Sequence, residues 1–201
     1  VTTYPAPETG TGTGSAALSV YSSLDDDLAA PLIAAFQARH PTITVRYENL
    51  LTTELHDRIM TETEAGGPTA DFAFSSAMDL QVKLANDGYA RPAVTPDTDA
   101  WPAWANWRDT VYALTFEPAV FAYHKHSFAG TSPPATRTDL LRWIADHPRQ
   151  AQGRIGTYDI TRSGVGYLFM ARDQALYPGI WAVVRAMGRA DVQQFPTSGE
   201  L

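Results

Sequence analysis

The stretch LSVYSSLDDDLAAPLIAAFQARHPTITVRYENL, residues 18–50, decides the fold. It begins with a run typical of a strand at residues 18–21. Apolar residues then recur at helical spacing between 28 and 36, after three aspartates that suit the capping of a helix N-terminus. The helix is expected to stop at His40-Pro41, and residues 43–47 alternate as a second strand. The stretch therefore predicts a strand–helix–strand unit.

Two further units of the same kind follow. A helix is expected from Thr52 or Thr53 to the Gly-Gly-Pro at 66–68. Residues 71–74 are typical of a third strand, and another helix follows it up to Asp87-Gly88. Alternating strands and helices predict an α/β protein with an open, parallel, doubly wound sheet.

The alternation restarts after an irregular stretch rich in Pro and Trp, which predicts a second lobe. Residues 111–123 are typical of one long strand that leaves the first lobe, so the lobes are assigned to residues 18–117 and 118–201. The expected elements of the second lobe are a helix after Thr136, a strand at 154–158, a helix from near Tyr167 and a helix at 181–187.

The first 17 residues, VTTYPAPETGTGTGSAA, show no hydrophobic period and are expected to form a flexible lead-in outside the fold. This lead-in lacks the basic start and apolar run of a signal peptide, and it is compatible with the remainder of a processed one.

Composition excludes several classes of protein. The 201 residues carry a net charge of −7, with 15 Lys and Arg against 22 Asp and Glu and no basic tract, so nucleic acid is not an expected partner. Cysteine is absent, which excludes disulfide scaffolds, thiol nucleophiles and cysteine-ligated metals. No apolar run is long enough to span a bilayer.

Small hydroxyl residues follow three of the predicted strands. Ser22-Ser23 follows the first strand, Ser75-Ser76 the third, and Arg162-Ser163-Gly164 the strand of the second lobe. In open α/β sheets, ligands bind beyond the carboxyl ends of strands, where helix N-termini favour anions. A guanidinium suits carboxylate or phosphate, and a glycine allows close backbone approach. For any single pair taken alone, helix capping is the favoured explanation. The presence of three such groups at equivalent positions favours an anion site.

Other candidate groups give weaker indications of a functional site. His124 and His126 are expected on one face of a strand, but two ligands without a neighbouring carboxylate or thiol do not predict a metal site. Trp101, Trp104 and Trp107 are expected to pack beneath a loop rather than to stack on a ligand. No GxSxG, HExxH, P-loop or GxGxxG motif occurs, so no catalytic residue, resident cofactor or enzyme activity is predicted.

Several segments in the same order resemble extracellular solute-binding proteins of ABC transporters, of the ferric-iron and phosphoglycerate type. These segments are residues 18–50, ADFAFSSAMDLQVKLANDGYA, YALTFEPAVFAYHK and GTYDITRSGVGYLF. The resemblance implies a two-lobed type 2 periplasmic binding fold that closes on a solute outside the cytoplasm and delivers it to a membrane permease. It implies solute binding by Ser22, Ser23, Ser75, Ser76, Arg162, Ser163, Gly164 and Val165.

The chain departs from that pattern in two ways. Ferric-iron binders of the family use a His or Glu from the first lobe and a Tyr pair, whereas Ser23 and Ser76 stand at the first-lobe positions and no Tyr-Tyr pair is present. The solute is expected to be a small anion, either a carboxylate or a phosphate ester, with a ferric complex as a further option.

The second departure is length, because family chains continue well past Leu201 and return to the first lobe. A partial second lobe and an unpaired sheet edge predict that the chain either self-associates or is less stable than a version extended past Leu201. The alternative interpretation is the effector-binding domain of a LysR-type transcription regulator, which resembles the same fold and has a similar length.

Overall fold

The computed structural model describes residues 1–8 and 16–201, and the chain divides into two compact units, Val1–Thr115 and Phe116–Leu201. The division lies close to the lobe boundary that the sequence predicts after residue 117.

A four-stranded sheet forms the centre of the first unit. Its strands are Thr2–Tyr4 (β1), Ala16–Ser22 (β2), Ile43–Asn49 (β3) and Phe72–Phe74 (β4). In space the order is β1–β3–β2–β4, with β2 parallel to both β3 and β4 and β1 antiparallel to β3. The predicted α/β class and the parallel central strands are confirmed.

The expectation that residues 1–17 lie outside the fold is wrong at both ends of that segment. Thr2–Tyr4 pairs with Val45, Arg46 and Tyr47 of β3, and Ala16 already belongs to β2. A neighbouring strand that offers unpaired N–H and C=O groups can order even a short polar segment. Residues 9–15 lie outside the described part of the chain.

Helices cover both faces of this sheet. They are Asp26–Arg39 (α1), Thr52–Glu64 (α2) and Met78–Asn86 (α3), followed by the short Pro96–Asp99 (α4). α1 ends just before His40-Pro41, as predicted. The expected capping by aspartate side chains is wrong, since Asp25 is the N-cap residue but its carboxylate makes no capping hydrogen bond.

Side chains that alternate along β2 build two separate cores. Val20 packs on one face with Ile33 of α1, and Tyr21 packs on the other face with Leu55 of α2 and Leu84 of α3. The alternation follows from the two-residue period of a strand. It gives the doubly wound arrangement that the sequence predicts.

The predicted long strand over residues 111–123 is wrong. Only Val111–Tyr112 (β6) is a strand, and it pairs antiparallel with Asn106–Trp107 (β5). The expected packing of the tryptophans beneath the loop is wrong for two of the three, since Trp104 is 81% exposed and Trp107 42% exposed. Trp101 is partly buried, and its Nε1 donates to the Ala113 carbonyl at 3.1 Å.

The second unit has the predicted helices and, in addition, one short helix and one strand that the sequence does not predict. Its helices are Arg137–Asp146 (α5), Pro148–Ala151 (α6), Gly164–Leu176 (α7) and Ile180–Arg189 (α8). Its strands are Gly156–Tyr158 (β7) and Gln193–Phe195 (β8), which run parallel. α7 begins at Gly164 rather than near Tyr167, and β8 was not predicted.

Candidate functional site

The two serine pairs of the first unit meet at one edge of the sheet. Because β2 and β4 are parallel neighbours, their carboxyl ends lie side by side. The Ser23 backbone N–H donates to the Phe74 carbonyl at 3.0 Å, and the Ser76 backbone N–H donates to Ser23 Oγ at 3.2 Å. The structure therefore brings together the residues that the sequence placed after separate strands.

The four serines have different roles. Ser22 has no exposed surface, and its Oγ accepts a hydrogen bond from the Leu24 N–H at 3.1 Å. Ser75 Oγ accepts from the Ala77 N–H at 3.2 Å. These two hydroxyls hold turns, which is the common local use of serine. Ser22 shapes the edge and is not open to a solute in this conformation.

A buried tyrosine supports the turn after β2. The Tyr47 hydroxyl donates to the Leu24 carbonyl at 2.6 Å, and burial raises the pKa of Tyr47 above its ordinary value. The phenol therefore keeps its proton, and this hydrogen bond, across the physiological pH range. Tyr47 was not singled out from the sequence, where it stands as one more aromatic residue of a strand.

Carboxylates lie next to this edge. Asp25, Asp26 and Asp27 are exposed at the start of α1, with Asn49 Nδ2 donating to Asp25 at 3.1 Å and the Thr2 hydroxyl donating to Asp26 at 3.3 Å. Six Lys and Arg stand against 15 Asp and Glu in the first unit. This edge therefore offers hydroxyl and N–H groups to a solute, within a unit whose net charge is negative.

In the second unit, the turn between β7 and α7 is organised by Asp159. Its carboxylate accepts from the Thr161 hydroxyl at 2.6 Å and the Thr161 N–H at 2.9 Å, and these hydrogen bonds hold the pKa of Asp159 below its ordinary value. Its carbonyl accepts from the Arg162 N–H at 3.1 Å and the Ser163 N–H at 2.8 Å. The turn places the Arg162 side chain at the surface.

The residues after Arg162 are buried and form the first turn of α7. Ser163 is 2% exposed, and its Oγ accepts from the Gly166 N–H at 3.2 Å, which makes it the N-cap. Gly164 and Val165 are buried as well. Helix capping, which the sequence left open as an explanation for serines at strand ends, therefore describes the Ser163 hydroxyl.

Replacing Ser163 with alanine should lower the free energy of unfolding by about 1 kcal/mol, because it removes the side-chain acceptor of an N-cap. Urea titration followed by circular dichroism measures the change. Equal stability of the parent and Ser163→Ala would contradict the capping role.

The histidines are not arranged as expected. His124 precedes a short 3₁₀ helix, Lys125–Phe128, so His126 does not lie on a strand, although the two rings are 5.6 Å apart. Within residues 1–8 and 16–201, no group of three or more His, Cys, Asp or Glu side chains could hold a metal ion. The described part of the chain also has no helix that is long and apolar enough to cross a membrane.

Comparisons with known proteins agree on one family. The family profile "Bacterial extracellular solute-binding protein" matches residues 21–181. A similar solved structure is the crystal structure of the substrate binding protein of the ABC transporter from Agrobacterium tumefaciens. Its sequence is 55% identical to the chain, the match covers 99% of the chain, and the TM-score is 0.94. The chain spans 58% of the length of that protein. No curated protein matches the chain. The chain belongs to the family of bacterial extracellular solute-binding proteins.

Proposed function

We propose that the protein is the extracytoplasmic solute-binding component of an ABC transporter, which captures a small anionic solute and hands it unchanged to a membrane permease. The family match and the 55% identical substrate-binding protein support the transport role. The same comparisons give no support to the alternative of a LysR-type effector domain. An anion, either a carboxylate or a phosphate ester, is the ligand class that the second unit favours. A ferric complex is included among the compounds of the test below.

Arg162 is the observation that carries the anionic part of the proposal. Its side chain is exposed beside the N-terminus of α7, where backbone N–H groups and the helix dipole favour negative charge. A guanidinium binds carboxylate or phosphate with two parallel hydrogen bonds. The second unit also carries nine Lys and Arg against seven Asp and Glu, so its overall charge favours an anion.

The first unit is proposed to contribute neutral contacts. Among the four serines after β2 and β4, only the Ser76 hydroxyl makes no hydrogen bond within the described part of the chain. Ser23 and Ser76 both keep partly exposed side chains. Their hydroxyls suit the oxygen atoms of an anion or the hydroxyls of a substituted acid.

Thermal-shift measurements with matched pairs of compounds test the ligand class. At equal concentration, glycerol 3-phosphate should be compared with glycerol, and citrate with glucose. Ferric citrate should be measured beside them. A ligand at about 100 times its dissociation constant stabilises the folded state by roughly 2.7 kcal/mol, so binding raises the melting temperature. At least one anion should raise it, while its neutral counterpart should not. Stabilisation by glycerol or glucose alone would exclude the anionic proposal.

Arg162→Ala should weaken the binding of the stabilising anion by about tenfold, because a hydrogen bond to a charged group contributes about 1.5 kcal/mol or more. Isothermal titration calorimetry measures the affinity. Arg172→Ala removes the same charge from an exposed position further along α7 and serves as the matched control. Equal affinities of the two variants would show that Arg162 does not contact the solute.

Ser76→Ala should lower affinity by about fivefold without changing stability, since a neutral hydrogen bond contributes about 1 kcal/mol and this hydroxyl holds no turn. Ser75→Ala is the matched control, because it removes the hydroxyl that holds the Ala77 N–H. It should lower the melting temperature and leave affinity unchanged. The opposite assignment of the two effects would contradict the roles given to these serines.

A further inference from the structure

α1 is apolar on its outer face as well as on its buried face. Leu28, Pro31, Leu32 and Ala35 follow the i, i+3, i+4, i+7 spacing of one helix face, and all four are exposed. Leu28 is 57% exposed and Leu32 60% exposed. The opposite face packs into the core. A contiguous stripe of exposed apolar side chains marks a surface that a partner can cover.

The N-terminal end of this stripe is acidic. Asp25, Asp26 and Asp27 stand one turn or less before Leu28, and all three are exposed. They belong to the first unit, in which acidic residues outnumber basic ones. In the second unit, basic residues outnumber acidic ones by two. The partner of α1 must therefore combine an apolar surface with positive charge.

A groove with this chemistry lies in the second unit between α5 and α8. It has a volume of about 410 Å³, and Leu141, Ile144, Ala182 and Ala186 line it together with Arg185 and Arg189. The two arginines lie one helical turn apart and are exposed, and neither makes an ion pair within residues 1–8 and 16–201. No acidic side chain lines the groove.

We infer that the outer stripe of α1 from one molecule docks in the α5–α8 groove of a second copy of this chain, with its N-terminal aspartates against Arg185 and Arg189. The two surfaces complement each other in polarity and in charge, and the same chain carries both. The contact joins different surfaces of the two copies, so it is head-to-tail. One helix face in one groove is a small interface, so the association is weak and sensitive to salt.

Charge reversal on each side tests the pairing. In sedimentation velocity at low salt and up to about 500 μM, a range suited to a small interface, the parent chain should associate reversibly. The variants Asp26→Arg/Asp27→Arg and Arg185→Glu/Arg189→Glu should each lower the association constant at least tenfold. An equimolar mixture of the two should associate again, because the reversed helix of one variant matches the reversed groove of the other.

Two controls separate this contact from general charge effects. Arg154→Glu/Arg172→Glu changes the same charge outside the groove and should associate like the parent. Leu28→Ser/Leu32→Ser should abolish association without any change of charge, while circular dichroism shows an unchanged fold. A parent chain that stays monomeric over the whole range, or a mixture that stays dissociated, would overturn the inference.

Discussion

Leu55→Ala should lower the free energy of unfolding of the first unit by about 2–5 kcal/mol, the range found when a buried leucine is truncated. Leu55 has no exposed surface and packs with Tyr21, Ile59 and Leu84 between α2, α3 and the sheet. The loss combines the lost transfer free energy of the side chain with the cavity that remains. Urea denaturation followed by circular dichroism gives the value.

Leu32→Ala is the matched control for this substitution. It is the same chemical change on an exposed face of α1, where surface substitutions usually alter stability by about 0.5 kcal/mol or less. A change below about 1 kcal/mol for Leu55→Ala would mean that α2 does not pack on the sheet as described.

Gly166→Ala should destabilise the second unit by about 1–3 kcal/mol, the usual cost of overpacking. A β-carbon at Gly166 would lie 2.4 Å from the β-carbon of Tyr158, which is fixed to β7 and cannot rotate away. The first turn of α7 must therefore move off the strand. Because Arg162 precedes that turn, the same variant should also bind the anion more weakly. Thermal denaturation and calorimetry measure the two effects.

Gly188→Ala is the same chemical change as Gly166→Ala, but we expect it not to lower stability. Gly188 lies inside α8, and a β-carbon there would meet no atom within 4 Å. Alanine is favoured over glycine in a helix by about 1 kcal/mol, so this variant should be at least as stable as the parent. Equal behaviour of the two glycine variants would contradict the close contact between α7 and β7.

The sequence predicts the parallel core because hydrophobic periodicity is a local property. The alternation around Val20 and Tyr21 and the helical spacing of α1 are visible without knowledge of any partner, and they place Ser23 and Ser76 at one edge. The parallel pairing of β2 with β4 in the sheet then brings these two serines together, as the hydrogen bond from the Ser76 N–H to Ser23 shows.

The misassigned elements depend on distant partners. Thr2–Tyr4 is a strand because β3 offers an open edge, and Gln193–Phe195 is one because β7 lies beside it. Neither segment has enough residues for a periodic signal. Residues 111–123 show the reverse case, since their composition favours a strand but only Val111–Tyr112 finds a paired neighbour.

The sequence does not show which of the site residues are buried. Ser22 and Ser163 look like exposed turn residues in the sequence, yet their hydroxyls accept hydrogen bonds from the Leu24 and Gly166 N–H groups inside the protein. A serine that follows a strand satisfies backbone N–H groups and contacts solutes with the same atom. Only the three-dimensional arrangement separates these roles, and Arg162 and Ser76 are the groups that we propose as solute contacts.

Native mass spectrometry detects the binding of a small anion by the protein without any intermediate readout. The purified chain should be incubated with an equimolar mixture of glycerol 3-phosphate, citrate, ferric citrate, glycerol and glucose, then sprayed under non-denaturing conditions. We expect a one-to-one complex with a carboxylate, phosphate or ferric-carboxylate anion that disappears on denaturation and is reduced in Arg162→Ala. A complex with a neutral compound only, or no complex with any member of the mixture, would contradict this expectation.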